Sequence, residues 1–308
     1  MKAKAMGKGT IKLISAAVNI AVLTMMVLAS AFAGYALWDS KQLYQAADKS
    51  QYTVYKPSLA DEGKSFKELQ ALNPEVFAWL CVYGTNIDYP VTQCEDNMKY
   101  VNTNAEGLYS LSGTIFLDCD NSGDFSDFNS ILYGHHMDKQ VMFGQIGEFA
   151  DEDVFDSHQY GSLYYEAQEH GIVFFAFVHT DAYDGAFFTA NVEPELRQEY
   201  LDDLLAKAIY TRDIGITIED HIVLLSTCSS TSTNGRDILV GRIDSETYED
   251  PFINTENNDI IEPTGVDSRG GYSWWLTPWA PMGVLIAIAI ALVLVIHYRS
   301  KHKEGKSK

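Results

Sequence analysis

Two uninterrupted apolar runs bracket the chain, and between them the hydrophobic positions come in short bursts. Leu13 to Leu37 carries no charge, and Pro281 to Tyr298 is uncharged and dominated by Val, Ile, Leu and Ala. At about 1.5 Å per residue in a helix, either run can cross a hydrocarbon core of about 30 Å. Lys2, Lys4, Lys8 and Lys12 precede the first run. The second is flanked by Trp274, Trp275 and Trp279 on one side and by Arg299, Lys301 and Lys303 on the other. Positive charge beyond both runs predicts two cytoplasmic termini and an exported middle. Ala31-Phe-Ala33 also fits a small-residue cleavage site, so a removed signal peptide is the alternative for the first run. The expected organisation is a basic N-terminus (1–12), a signal anchor (13–37), a stalk (38–64), an extracellular domain (65–246), a linker (247–277), a second span (278–298) and a basic tail (299–308).

Within the middle, Ser65 to Leu72 places Phe66, Leu69 and Leu72 on one helical face, with Ser65 as N-cap and Asn73-Pro74 as the stop. From Val76 the period changes. Strands are expected over 76–82, 87–92, 113–117, 129–133, 162–166, 171–178, 215–218, 222–225 and 238–243, separated by Gly, Asn and Asp turns. Many short strands predict an all-β sandwich or barrel. One helix interrupts them: after Pro194, positions Leu196, Tyr200, Leu201, Leu204, Leu205, Ala208 and Ile209 repeat at helical spacing through Tyr210, as for a helix packed on the barrel.

Charge narrows the partners. The chain has 22 basic and 42 acidic residues; setting aside the four N-terminal lysines, the five basic residues from Arg299 onward and Glu304 leaves 13 against 41, near −28. Such a surface excludes nucleic acid and anionic membrane faces as ligands of the exported part. Cys81, Cys94, Cys119 and Cys228 form no C-x-x-C pair and no zinc spacing, and the acidic residues form no ligand-spaced loop, so no metal or other cofactor is expected. Export allows a disulfide, with Cys81 and Cys94 nearest in sequence.

The chemistry concentrates at two strand ends. Ile222 to Leu225 runs into Ser226-Thr227-Cys228, and Asn129 to Tyr133 runs into Gly134-His135-His136. A cysteine becomes a nucleophile as a thiolate, favoured beside a cation. Arg236 follows the turn Asn234-Gly235, which places it on a strand next to that of Cys228. Arg242, six residues further along the same strand, is the competing arginine. His136 competes with His135, and His135 is favoured because Gly134 permits close approach. Thiolate attack, proton transfer to a leaving amine and a cation near the oxyanion together describe acyl transfer through a thioester.

These segments resemble the sortases, cysteine transpeptidases of Gram-positive bacteria, and most closely class B. The matching residues are Leu224-Leu-Ser-Thr-Cys228 with Arg236, Leu132-Tyr-Gly-His135, Thr85-Asn-Ile-Asp-Tyr-Pro-Val91, Asn73-Pro-Glu-Val-Phe-Ala-Trp79, Gly113-Thr-Ile-Phe-Leu-Asp118 and Met142-Phe-Gly144. The resemblance implies a closed β-barrel of about eight strands with N-terminal helices and one long inserted helix. It implies Cys228 as nucleophile, His135 as general acid, Arg236 as the positioning cation, and Asn97, Val101, Tyr133 and Ser226 as contacts for a sorting peptide of Asn-Pro-x-Thr or Leu-Pro-x-Thr type. The implied partners are surface proteins or pilins bearing a C-terminal sorting signal, and an amine of a cell wall precursor or a pilin lysine. A second anchor is familiar from pilus-building members. Their lid motif, Asp-Pro-aromatic, is absent before Asn73, and Asp250-Pro251-Phe252 lies after the barrel. An extracellular cysteine peptidase and a non-enzymatic surface binding module are the competing readings.

Overall fold

The computed structural model describes residues 2–57, 63–185, 187–230 and 234–253. The expected second span, the tail and most of the linker therefore lie outside the described residues. Helix α1 (Lys2–Ala47) contains the first apolar run: an 18-residue window within Gly9–Ala47 has a mean hydropathy of 2.1 and none of it is buried. Among the described residues it is the one helix long and apolar enough to cross a membrane.

From Leu43 the chain belongs to a compact unit that includes the barrel. The expected stalk is, over residues 43–57, part of that unit. Ala47 and Tyr52 are buried in its core, and the Tyr89 hydroxyl donates to the Ala47 carbonyl at 3.0 Å. Helix α2 (Lys64–Leu72) begins one residue earlier than expected, with Gly63 rather than Ser65 at its N-cap, and Asn73 is its C-cap. It seats Phe66 and Leu69 in the core, where Phe66 meets the ring of Trp79 edge-on.

Among the described residues nine strands follow: β1 (Val76–Val82), β2 (Asp88–Thr92), β3 (Ile115–Leu117), β4 (Asn129–Tyr133), β5 (Tyr160–Tyr165), β6 (Gln168–Asp181), β7 (Ala208–Thr211), β8 (Ile222–Cys228) and β9 (Gly235–Asp244). A short helix, α3 (Glu152–Ser157), precedes β5. The pairing order β5-β1-β2-β3-β4-β8-β9-β6 closes on itself through β5–β6, giving an eight-stranded barrel with no open edge along that ring. β2–β3 and β4–β8 are parallel and the remaining pairs antiparallel.

β7 is the ninth strand, attached to β6 outside the ring. It corrects two expectations. The inserted helix α4 (Arg197–Lys207) stops at Lys207 instead of Tyr210, because Ile209, Tyr210 and Thr211 are bulky or β-branched and pair with β6. Residues 215–218, expected as a strand, are loop.

Side-chain alternation divides β8 between two cores. Val223 and Leu225 enter the barrel interior, while Ile222 and Leu224 face outward beneath α4. There they meet Tyr200, Leu201 and Leu204 of the helix, together with Phe128, Ile131 and Val240. Burying a leucine such as Leu204 contributes about 1.5–3 kcal/mol, enough to hold a short helix on the sheet. α4 covers only part of this outer face, and the candidate chemistry lies on the same face, beyond the end of the outer core.

All four cysteines are free. Cys81 sits opposite Asp88 in the β1–β2 pair, whereas Cys94 follows Thr92, which pairs with Val76 at the other end. Asp88 and Thr92 alone are four strand residues apart, about 13 Å, and Cys94 lies beyond Thr92. A disulfide requires Cα atoms within about 7 Å, so the pair nearest in sequence is excluded.

Candidate active site

β4 and β8 run parallel and end together. Tyr133 is the partner of Ser226, the Gly134 N–H donates to the Ser226 carbonyl at 3.2 Å, and the Thr227 hydroxyl donates to the Gly134 carbonyl at 2.8 Å. The residues just beyond, His135 on one chain and Cys228 on the other, are thereby brought to one place. On the opposite side of β8, Cys228 is the direct cross-strand partner of Arg236. Opposed side chains in such a pair start about 5 Å apart at Cβ. Cys228, Arg236 and Tyr133 share the outward face by strand alternation from Leu224, Ile238 and Ile131.

All seven residues singled out from sequence line one cleft of about 320 Å³: Asn97, Val101, Tyr133, His135, Ser226, Cys228 and Arg236. Phe116, Gly134 and Thr227 complete it. Cys228 is exposed to solvent, as a nucleophile must be to meet a peptide. His136 bridges to Met142 and does not line the cleft. Arg242 pairs with Ile222 at the far end of β8–β9, where both its Nε and Nη2 donate to Asp244. Among the described residues no carboxylate pairs with Arg236, whose Nη1 donates to the Gly235 carbonyl at 3.1 Å. Its neighbour Asp237 is occupied by His179, 2.7 Å away. Among the described residues, then, no acidic side chain neutralises the cation beside the thiol.

Several features were beyond the reach of the sequence. The Val101 carbonyl lies 2.8 Å from His135 Nε2. A carbonyl only accepts, so Nε2 is the donor of this bond. Ser226 Oγ is buried and has no hydrogen-bond partner among the described residues, a cost a bound ligand can relieve. Asp118 lies behind the cleft and accepts from both Asn97 and Tyr133. Burial, reinforced by the Asp118 charge, pushes the Tyr133 hydroxyl well above the ordinary tyrosine range, so it stays protonated. Asp118, Cys119 and Asp120 bring ligand-type atoms within 4.8 Å of one another, but Asp118 is already taken by these donors and by the Asp120 N–H.

Gly134 owes its identity to close approach, here by a ring. A Cβ on it would stand 2.6 Å from Phe143, a fully buried core residue. Gly134→Ala is expected to cost about 1–3 kcal/mol by overpacking. At about 2–4 °C per kcal/mol for a domain of this size, a thermal melt should show Tm lowered by about 2–12 °C. An unchanged Tm would mean that Phe143 moves freely and that the strand end is not fixed by this contact.

Residues 245–253 return over the barrel away from the cleft. Phe252 stacks on His158 with ring centroids 4.7 Å apart, and no residue of this segment lines the cleft. Asp250-Pro251-Phe252 therefore does not cover Cys228.

Comparison with known proteins agrees with this arrangement. No family model matches the chain. Sortase B of Listeria monocytogenes is 30% identical over 182 residues, spanning 58% of this chain and 73% of the relative. The sortase B from the type II pilus of Streptococcus pneumoniae superimposes with a TM-score of 0.52 at 45% identity, covering 59% of this chain and 99% of that one. A Streptococcus pyogenes class B sortase involved in pilus biogenesis gives a TM-score of 0.54 at 39% identity, covering 59% and 100%. Shared barrel topology and this extent of sequence identity place the chain in the sortase B family of cysteine transpeptidases.

Proposed function

We propose that the chain is a membrane-anchored transpeptidase that cleaves a C-terminal sorting signal after threonine and joins the threonine to the side-chain amine of a pilin lysine. The observation that carries this reading is the cleft in which an exposed Cys228, an Arg236 with no acidic partner among the described residues, and His135 meet at the ends of paired strands. Cys228 Sγ, as thiolate, attacks the threonine carbonyl carbon; a C–S bond forms and a tetrahedral oxyanion develops. The Arg236 guanidinium holds that charge. His135 gives the proton on Nδ1 to the leaving amine as the C–N bond breaks, which leaves a thioester. The acceptor amine then attacks the thioester, His135 recovers a proton, the new C–N bond forms and the thiolate departs. Asn97, Val101, Tyr133 and the unpartnered Ser226 hydroxyl are the contacts for the peptide.

Two relatives associated with pili, at 45% and 39% identity, favour a pilin lysine over a wall precursor as acceptor. Anchoring through residues 13–37 and 278–298, with the barrel outside the cell, suits a substrate that emerges from the membrane carrying its own anchor. The test supplies Asn-Pro-x-Thr and Leu-Pro-x-Thr peptides to the full-length chain in detergent micelles, with no amine, with a lysine-containing pilin peptide or with a wall-type oligoglycine. Amide product formed fastest with the lysine peptide is expected. Acid product in every case would make the protein a peptidase, and preference for oligoglycine would make it a wall-anchoring enzyme.

A further inference from the structure

Asp118 follows directly after β3, is 5% exposed, and does not itself line the cleft. Its Oδ2 accepts from Asn97 Nδ2 and from the Tyr133 hydroxyl, both at 2.9 Å, and its Oδ1 accepts from the Asp120 N–H at 3.0 Å. Asn97 is fixed from its other end as well, because its Oδ1 accepts from the Cys119 N–H at 2.8 Å. This fixes the orientation of the amide: the nitrogen faces the carboxylate and the oxygen faces the backbone. Asn97 and Tyr133 stand on different segments, one on the long connection between β2 and β3 and the other at the end of β4. One carboxylate oxygen joins them. Tyr133 is also seated against Phe116, with ring centroids 5.4 Å apart.

We propose that Asp118 is the positioning residue of the substrate wall, holding Asn97 and Tyr133 as one unit so that the second Asn97 N–H and the face of Tyr133 meet the bound peptide. This rests on the transpeptidase reading above and deepens it, since it says how the peptide, rather than the reacting bond, is held. A carboxylate is suited to the task because it only accepts, and the two neighbours both donate. In Asp118→Asn the charge is lost and only one of the two atoms still accepts, so the N–H₂ must face either the Asp120 N–H or both the Asn97 and Tyr133 donors.

The test compares the wild-type chain, Asp118→Asn, the double variant Asn97→Ala/Tyr133→Phe, and all three substitutions combined. All are full-length in micelles and are assayed with whichever Asn-Pro-x-Thr or Leu-Pro-x-Thr peptide acylates the wild type fastest. Asp118→Asn is expected to lower kcat/KM by about tenfold, chiefly through KM, in keeping with a lost hydrogen bond to a charged group. The rate of Cys228 alkylation by iodoacetamide should not change, because Cys228, His135 and Arg236 are untouched. In the double-variant background the same substitution should alter kcat/KM by less than about twofold, because its intermediaries are already gone. An unchanged kcat/KM, a tenfold loss that persists in that background, or a parallel fall in alkylation would overturn the proposal. Should Asp118→Asn fail to fold, Asn97→Ala and Tyr133→Phe decide it between them. Coupled through one oxygen, their losses are non-additive, and strict additivity contradicts the proposal. A wild type that no peptide acylates rejects the transpeptidase reading itself, a result distinct from all of these.

Discussion

Cys228→Ala is expected to abolish acylation, lowering the rate of sorting-peptide cleavage by more than about 10³-fold while leaving the fold intact. The size follows from the proposed role: a nucleophilic sulfur is the atom that forms the covalent bond, and no neighbour stands in its place. Thr227 is next in chain, but it faces the other way and its hydroxyl is committed to the Gly134 carbonyl. Ser229 is buried and its N–H donates to the Gly235 carbonyl. Cys81, Cys94 and Cys119 are not cleft residues, and burial together with the nearby Asp88 carboxylate pushes the Cys81 thiol up to about 12, which keeps it protonated and inert. Cys228 is itself exposed at a strand end, so truncation leaves no core cavity and Tm should remain within about 1 °C of the wild type. Cleavage by the variant at a rate near that of the wild type would place the nucleophile elsewhere.

His135→Ala is expected to reduce peptide turnover by about 10³-fold, within the range for loss of a general acid. The expected reduction in iodoacetamide alkylation of Cys228 is smaller, because alkylation needs the thiolate but expels iodide without a proton donor. The two assays therefore separate activation of the thiol from protonation of the leaving amine. The Val101 carbonyl fixes the imidazole through Nε2, so His135→Gln, which can keep a donor toward Val101 but has no titrating nitrogen, should be no better than alanine. Recovery of turnover in His135→Gln would show that holding position, and not proton transfer, is what the histidine supplies.

Both expectations rest on residues visible in the chain before its fold. Cys228 and His135 each follow a run of β-branched and aliphatic residues, and such runs make strands whose ends are readable from alternation. Asn234-Gly235 marked the turn that pairs Arg236 with Cys228. Local signals of this kind also fixed β1 and β4 to the residue. What they could not fix is non-local. The β5–β6 pairing is a local hairpin, but closing the ring also needs β5 to pair with β1, whose residues lie 79 to 85 positions away, and no short-range pattern encodes that. The helical repeat through Ile209 concealed β7, because an apolar face satisfies either period until the partner strand is known. Nor was the role of Asp118 legible: in Asp118-Cys-Asp-Asn-Ser-Gly123 it reads as one more solvated turn residue, and only folding puts Asn97 and Tyr133 on the same oxygen. The Val101 contact is invisible for a different reason, since its carbonyl is backbone and leaves no trace in residue identity.

The most direct test is the intact mass of the full-length chain after brief exposure to an Asn-Pro-x-Thr or Leu-Pro-x-Thr peptide, read before and after addition of a lysine-containing amine. The account predicts an adduct equal to the acyl portion ending in threonine, mapped to Cys228 and absent from Cys228→Ala. The amine should discharge that adduct, with the matching amide appearing in solution. An adduct on another residue, or peptide cleavage with no covalent intermediate at any time point, would contradict it.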